Sequence, residues 1–206
     1  MSRGQGVRVD HTVTSGTFSL DGETHQVENN VWVLGDDDEC VVIDAPHDVD
    51  RILDLVDGRQ VQAILCTHAH DDHVAVAPQL AALTGAPVLL HPEDRPVWEL
   101  THPDHKWDAD LAEGQTFKVA GTTLRTLHTP GHAPGAVCFH AEELGELFTG
   151  DTLFHGGPGA TGRSFSDYDV IVASIRAKLF ALPDSTVVHT GHGPDTSIAA
   201  ERANLP

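Results

Sequence analysis

The chain has 206 residues, 40% of them hydrophobic, which suits one globular domain with a buried core, so we expect a single domain over residues 1–206. Its formal net charge of −19 argues against a nucleic-acid partner, because phosphate binding requires clustered Lys and Arg. No apolar run reaches the length of a membrane span, and the first residues contain no hydrophobic signal core. We therefore expect no membrane association and a cytoplasmic location.

Short β-branched runs alternate with helical patterns along the chain. The first half predicts, in order, strands over 30–35 and 40–44 joined by an exposed acidic turn, a helix over 48–58, a strand over 61–68, a helix over 73–85 and a strand over 86–91. The second half predicts a hairpin over 117–129, strands over 135–141 and 145–151, a helix over 167–183 and a strand over 185–193. This mixture indicates an α/β protein in which helices cover sheets.

Residues 67–73, THAHDDH, follow the predicted strand 61–68 and contain three histidines and two aspartates. If the strand runs on through His68 and His70, both side chains lie on one face and can chelate a metal. Asp72 and His73 then fall in a helix, point elsewhere and could hold a second ion. Crowded imidazoles repel once they are protonated, so such a loop has little benefit without a cation.

Three more candidate ligands follow apolar runs in the same way. His132 lies in the turn TPGHAPG, Asp151 ends the strand in FTGDT, and His192 lies in TGHGP. With residues 67–73 they make a set of five histidines and two aspartates. That set could coordinate two divalent ions of hard or borderline character.

This ordered series resembles the metallo-β-lactamase superfamily, and within it the glyoxalase II-like thioesterases. The matching motifs are HxHxDH at 68–73, PGH ending at 132, GD ending at 151 and GHG at 191–193. The resemblance extends from about residue 17 to 200 and implies a four-layer αββα sandwich with metals in loops at one edge of the paired sheets. It implies that His68, His70 and His132 bind one metal, that Asp72, His73 and His192 bind a second, and that Asp151 bridges them. We expect two Zn²⁺ ions, with Fe or Mn as alternatives.

Water bound to such metals becomes a nucleophile at neutral pH, so we expect the protein to be a hydrolase. Asp72 is predicted to orient this water and to handle its proton. A thiolate leaves with a conjugate pKa near 8.5 and needs little help from an acid, which favours a small-molecule acyl thioester as substrate. The glycine-rich stretch 154–169 follows Asp151 and is the predicted specificity loop. Arg163 in this loop is predicted to hold a polar group of the substrate. Weaker candidates for the pocket are Asn30, Phe154, Phe165 and Tyr168.

Because fourteen residues follow His192, we expect this chain to lack the C-terminal helical domain with which the glutathione-type enzymes recognise their substrate. We therefore expect another thiol carrier, and the similarity to short actinobacterial members suggests a mycothiol thioester such as S-formylmycothiol. The alternatives are a lactonase or β-lactamase with the same metals, a persulfide dioxygenase with one iron, and a metal-binding protein that has lost catalysis.

Residues 91–114 interrupt the strand pattern and contain Trp98 and Trp107. Large aromatic side chains are enriched at protein interfaces. We expect this segment to cap the metal edge or to form the contact of a homodimer.

Overall fold

The computed structural model describes residues 6–205, and its first sheet contains six strands in chain order. These strands are β1 (Arg8–Leu20), β2 (Glu23–Gly35), β3 (Glu39–Ile43), β4 (Gln60–Leu65), β5 (Val88–Leu90) and β6 (Ala109–Asp110). Strands β1 to β3 are antiparallel to one another, whereas β3 to β6 run parallel. Parallel neighbours require crossovers, which the helices between them provide.

The second sheet has the strand order β14-β13-β10-β9-β8-β7, and a separate small hairpin is formed by β11 and β12. The eight strands are β7 (Thr116–Val119), β8 (Thr122–His128), β9 (Val137–Ala141), β10 (Glu146–Gly150), β11 (Leu153–Phe154), β12 (Gly157–Pro158), β13 (Val187–Thr190) and β14 (Thr196–Ser197). Six α-helices accompany them: α1 (Val49–Val56), α2 (Asp71–Val74), α3 (Ala77–Thr84), α4 (Arg95–Thr101), α5 (Tyr168–Ser174) and α6 (Ile198–Asn204). None of the helices in the described residues is long and apolar enough to cross a membrane.

Three apolar layers hold the sheets and helices together. Strand β2 contributes Val31 and Val33 to the layer under α1, α3 and α4, while Leu34 belongs to the layer between the two sheets. This division follows from the alternation of side chains along a strand. The third layer packs α5 and α6 on the outer face of the second sheet, with Ile171 and Ile198 fully buried. The expected four-layer αββα sandwich is confirmed.

The predicted elements differ from the structure mainly at their boundaries. The long hairpin of β1 and β2 was missed before residue 30, because its many polar residues hide the strand pattern; its tight turn has positive φ at Asp21 and Gly22. The predicted helix 73–85 is divided into α2 and α3, because Pro78 has no backbone N–H to continue a helix from α2 and lies in the first turn of α3. The predicted helix 167–183 is α5 followed by a π-helical turn over Ile175–Leu179. Strand β14 and helix α6 lie beyond the predicted elements.

The two tryptophans are buried, so they do not provide the exposed aromatic surface on which the expectation for segment 91–114 is based. Trp98 is 1% exposed and Trp107 is 8% exposed, and both belong to the core layer under α4 of their own chain. Their rings contact each other edge to face at 5.9 Å, and the Trp98 indole donates to the carbonyl of His105 at 2.8 Å. Neither ring lines the cavity at the ligand loops, so neither caps that edge nor is exposed to a second copy.

Candidate metal centre

The seven predicted ligands meet at one edge of the sandwich, in the segments that follow four strands. His68 and His70 lie in the loop after β4, and α2 begins directly behind them with Asp72 and His73 in its single turn. The other three ligands, His132, Asp151 and His192, follow β8, β10 and β13. Parallel β10 and β13 bring the last two side by side.

The first cluster consists of His68, His70 and His132. The Nδ1 atom of His70 lies 3.0 Å from Nε2 of His68 and 3.0 Å from Nε2 of His132. The three rings are nearly perpendicular, with interplanar angles of 86° to 88°. Three nitrogens that converge on one point without a carboxylate among them are the donor set that suits Zn²⁺ or Fe²⁺.

The second cluster consists of Asp72, His73 and His192. Oδ2 of Asp72 lies 3.2 Å from Nε2 of His192 and 3.7 Å from Nε2 of His73, and the two imidazole nitrogens are 3.3 Å apart. Asp151 lies between the clusters: its Oδ1 is 3.2 Å from Nε2 of His73, and its Oδ2 is 3.5 Å from Nε2 of His132. The carboxylate can therefore bridge two ions.

Hydrogen bonds fix which nitrogen of each imidazole is available. Nδ1–H of His68 donates to Thr67 Oγ1 at 3.1 Å, and Nδ1–H of His73 donates to the Asp44 carboxylate at 2.8 Å. Nδ1–H of His132 donates to the Ala160 carbonyl at 2.8 Å, and Nδ1–H of His192 donates to the Glu28 carbonyl at 2.6 Å. Each of these bonds directs Nε2 toward the cluster, where it is the free donor atom whenever the imidazole is neutral. His70 is the exception, since its Nδ1 faces the first cluster.

The protonation of the two clusters differs. Burial and the neighbouring His132 lower the pKa of His70 to about 3, and burial and His73 lower the pKa of His68 well below its ordinary value. These imidazoles are therefore neutral and ready to coordinate. In the second cluster burial opposes the charge on His192, but the Asp151 carboxylate raises the pKa of His192 to about 10. That carboxylate thus stabilises positive charge at the second cluster.

The residues present fit a pair of bound cations. Oδ1 of Asp151 is buried without a hydrogen-bond partner among the described residues. Buried polar atoms are almost always satisfied, and coordination satisfies a carboxylate oxygen of this kind. The convergence of unprotonated nitrogens in the first cluster has the same explanation.

Two polar residues that support the ligands were not anticipated from the sequence. Asp44 accepts from the backbone N–H of Thr67 at 2.7 Å and from Nδ1–H of His73 at 2.8 Å. The Asn29 side-chain amide donates to Oδ2 of Asp72 at 3.0 Å, and its oxygen contacts Nε2 of His47 at 2.9 Å. Asp44 is the last residue of the predicted strand 40–44, so the rule that located the ligands at strand ends could also have found it.

A cavity of about 110 Å³ opens onto the two clusters. The lining residues besides the ligands are Phe18, Leu20, Val27, Ala160, Arg163, Ser164 and Ser166. The apolar wall comes from the hairpin of β1 and β2, and the polar wall comes from the loop that follows β12. The cavity therefore presents Arg163, the one arginine or lysine of its lining, opposite an apolar surface.

Of the five predicted substrate residues, the structure places only Arg163 in the lining of this cavity. The prediction that Asn30 lines the pocket is corrected by the structure. Its amide donates to the Thr190 and Gly193 carbonyls at 3.0 and 2.9 Å, so Asn30 holds the turn that carries His192. The other three residues, Phe154, Phe165 and Tyr168, do not line the cavity. The Phe154 ring lies 6.1 Å from the His192 ring, and Phe165 and Tyr168 are exposed.

Comparison with known proteins agrees with this geometry. Residues 26–192 match the family model of the metallo-beta-lactamase superfamily, and the chain belongs to that superfamily of metal-dependent hydrolases. The hydroxyacylglutathione hydrolase GloC of Haemophilus influenzae is 32% identical over 195 residues, which cover 87% of this chain and 92% of GloC. The probable metallo-hydrolase YqgX of Bacillus subtilis is 30% identical over 204 residues, which cover 87% of this chain and 92% of YqgX.

Three solved structures extend the comparison. The B3 metallo-beta-lactamase BLEG-1 superposes with a TM-score of 0.79 at 29% identity, covering 94% of this chain and 98% of that one. TTHA1623, solved in a di-iron-bound form, gives 0.77 at 32% identity with the same coverage. ETHE1 from Myxococcus xanthus gives 0.75 at 25% identity, covering 94% of this chain and 83% of that one.

Proposed function

We propose that this protein hydrolyses a small acyl thioester with two metal ions held by the seven ligands. The observation that supports the proposal is the pair of clusters, with Asp151 between them, at the floor of a cavity whose lining contains Arg163 as its one arginine or lysine. When bound, two adjacent ions supply a Lewis acid and lower the pKa of water toward neutrality. We propose Zn²⁺ as the resident metal, and the di-iron form of TTHA1623 makes iron the alternative that metal analysis distinguishes.

The chain itself supplies a proton acceptor. Asp72 lines the cavity, and its pKa is lowered to about 2 because His73 and His192 outweigh the effect of burial. The carboxylate is therefore ionised at neutral pH and can take the proton of an attacking water. The amide of Asn29 holds Oδ2 of Asp72 at 3.0 Å and so fixes the direction of the carboxylate.

The lining of the cavity favours a leaving group that needs no acid. Among its residues, titratable groups other than Arg163 are the predicted metal ligands themselves. An amide nitrogen must be protonated as it leaves, whereas a thiolate is stable enough to leave unassisted. This difference supports a thioester over an amide.

A substrate panel tests the proposal. The same acyl group is presented on glutathione, coenzyme A, mycothiol and an uncharged thiol, with S-formylmycothiol included, beside a lactone and nitrocefin. Glutathione belongs in the panel because GloC, which is named a hydroxyacylglutathione hydrolase, is matched over 92% of its length. We expect turnover of thioesters; turnover of the lactone or nitrocefin alone would show that the substrate class is wrong. Oxygen consumption with a persulfide would instead identify a dioxygenase.

Arg163 is expected to bind the polar head of the thiol carrier. Its guanidinium lies over the Phe18 ring at 5.1 Å and 3.9 Å from the Glu23 carboxylate, and the side chain is 38% exposed. A charge-assisted hydrogen bond from this partly screened group is worth about 1.5 kcal/mol, or about tenfold in binding. Arg163→Ala should therefore raise KM about tenfold and leave kcat nearly unchanged, because the contact is distant from the reacting atoms.

The control for this variant is Arg125→Ala, which removes an exposed arginine of β8 that does not line the cavity. Steady-state kinetics are measured for both variants on each carrier, together with metal content. We expect the KM effect of Arg163→Ala to disappear on the uncharged carrier. An equal effect on all carriers would rule out this role.

A further inference from the structure

Asp94 lies behind the first cluster and connects two of the loops that carry its ligands. The residue is fully buried. Its Oδ2 accepts from the backbone N–H of Ala69 at 2.8 Å, and its Oδ1 accepts from the backbone N–H of Gly135 at 2.5 Å. Ala69 stands between His68 and His70, and Gly135 follows His132 in the same turn. One carboxylate thus contacts both segments that form the first cluster.

The Asp94 side chain does not cap the helix that it precedes. Asp94 occupies the N-cap position of α4, where an aspartate ordinarily accepts from the first-turn amides, yet it makes no such bond. Both oxygens are instead directed to backbone amides that lie 25 and 41 positions away in the sequence. Segment 91–114 therefore does act on the metal edge, through this aspartate and not through its tryptophans.

The turn that carries His132 is shaped to receive this carboxylate. A Cβ on Gly135 would lie 2.7 Å from the backbone nitrogen of Asp94, so a larger residue would force the two segments apart. At the adjacent position, Nε2–H of His128 donates to the Pro134 carbonyl at 3.0 Å, and the His128 ring stacks on His91 at 4.0 Å. Contacts at two successive residues, Pro134 and Gly135, therefore hold the turn in place.

We propose that Asp94 is a positioning residue for the first metal ion, an inference that rests on the proposed binuclear function. It holds the loop of His68 and His70 and the turn of His132 at the separation that a single ion requires. Its hydrogen bonds reach neither ligand helix α2 nor the turn of His192. The second cluster has its own supports in Asp44 and Asn29.

The test is the affinity for Zn²⁺ in two backgrounds, measured by competition with a chelating dye. His192→Ala disables the second cluster and leaves the first, whereas His132→Ala does the reverse. Asp94→Asn turns one acceptor into a donor that opposes an amide N–H. In the His192→Ala background it should lower Zn²⁺ affinity about 10–100-fold, which is typical of lost support behind a ligand. In the His132→Ala background it should leave the affinity unchanged.

The matched control is Asp104→Asn, which makes the same change at an exposed carboxylate of segment 91–114 and should alter neither affinity. An equal loss in both backgrounds would show that Asp94 supports the fold in general, and no loss with His192→Ala would overturn the proposal. If circular dichroism shows that Asp94→Asn is unfolded, amide exchange in the metal-free wild type decides: the Ala69 and Gly135 amides should exchange slowly, and rapid exchange of both overturns the proposal. Wild-type protein that binds no Zn²⁺ would contradict the proposed function, whereas the exchange rates would still test the role of Asp94.

Discussion

Asp72→Asn is expected to lower kcat for the preferred thioester about 10²–10⁴-fold, which is the contribution of a positioned proton acceptor. Asparagine has the same shape and keeps one oxygen toward His192 and Asn29, so the fold and much of the metal binding should survive. It cannot accept the proton of the attacking water. The measurement is steady-state kinetics at saturating metal, with the metal content determined on the same samples.

The control is Asp71→Asn, which alters the preceding residue of α2. Asp71 accepts from the backbone N–H of Ser19 and does not line the cavity. We expect kcat of this variant to stay close to that of the wild type. A fully metallated Asp72→Asn variant with undiminished kcat would show that the role of proton acceptor is misassigned.

Asp151→Ala is expected to have the largest effect on metal content. Its two oxygens face His73 and His132, which belong to different clusters, so its loss removes a ligand from both. The variant should fall from about two bound ions per chain to less than one and lose activity with them. Elemental analysis after dialysis measures the metal content of the purified protein.

His192→Ala serves as the comparison for Asp151→Ala, because it removes a ligand from the second cluster alone and should retain about one ion per chain. If Asp151→Ala and His192→Ala lose the same single ion, Asp151 does not bridge. If Asp151→Ala keeps both ions, the assignment of this carboxylate as a ligand is wrong.

The seven candidate ligands could be grouped from the sequence because each stands in a short local motif at the end of a strand. The predicted strand through His68 and His70 is nevertheless too long. Strand β4 ends at Leu65, so the two rings meet through an irregular loop and not through the two-residue period of a strand. The residue types and their spacing were sufficient to place both histidines at one site. The path of the backbone between them could not be predicted from the sequence.

Residues that act through distant partners could not be found in this way. Asn29 and Asn30 show why: successive strand residues face opposite sides, and a shift of one residue exchanges their roles. The structure turns Asn29 toward Asp72 and Asn30 toward the turn of His192. Asp94 was missed for a related reason, since its partners Ala69 and Gly135 lie in other loops.

Solvent exposure was equally hard to predict from local sequence. The tryptophans at 98 and 107 stand among polar residues, yet α4 directs the Trp98 ring into the core and the loop before β6 does the same for Trp107. Phe165 and Tyr168 were expected in the pocket but lie outside the cavity, whereas Phe18, from a strand that the sequence pattern did not reveal, forms its wall. The apolar side of the site depends on a hairpin whose alternation is masked by Thr and Ser.

The most direct test of the binuclear centre is reconstitution of the metal-free protein. A chelator removes bound metal, Zn²⁺ is added in increments, and bound metal and thioester turnover are measured on the same samples. We predict that turnover rises with bound Zn²⁺ and reaches its plateau at about two ions per chain. Full turnover without bound metal, or a plateau at a single ion, would contradict the account.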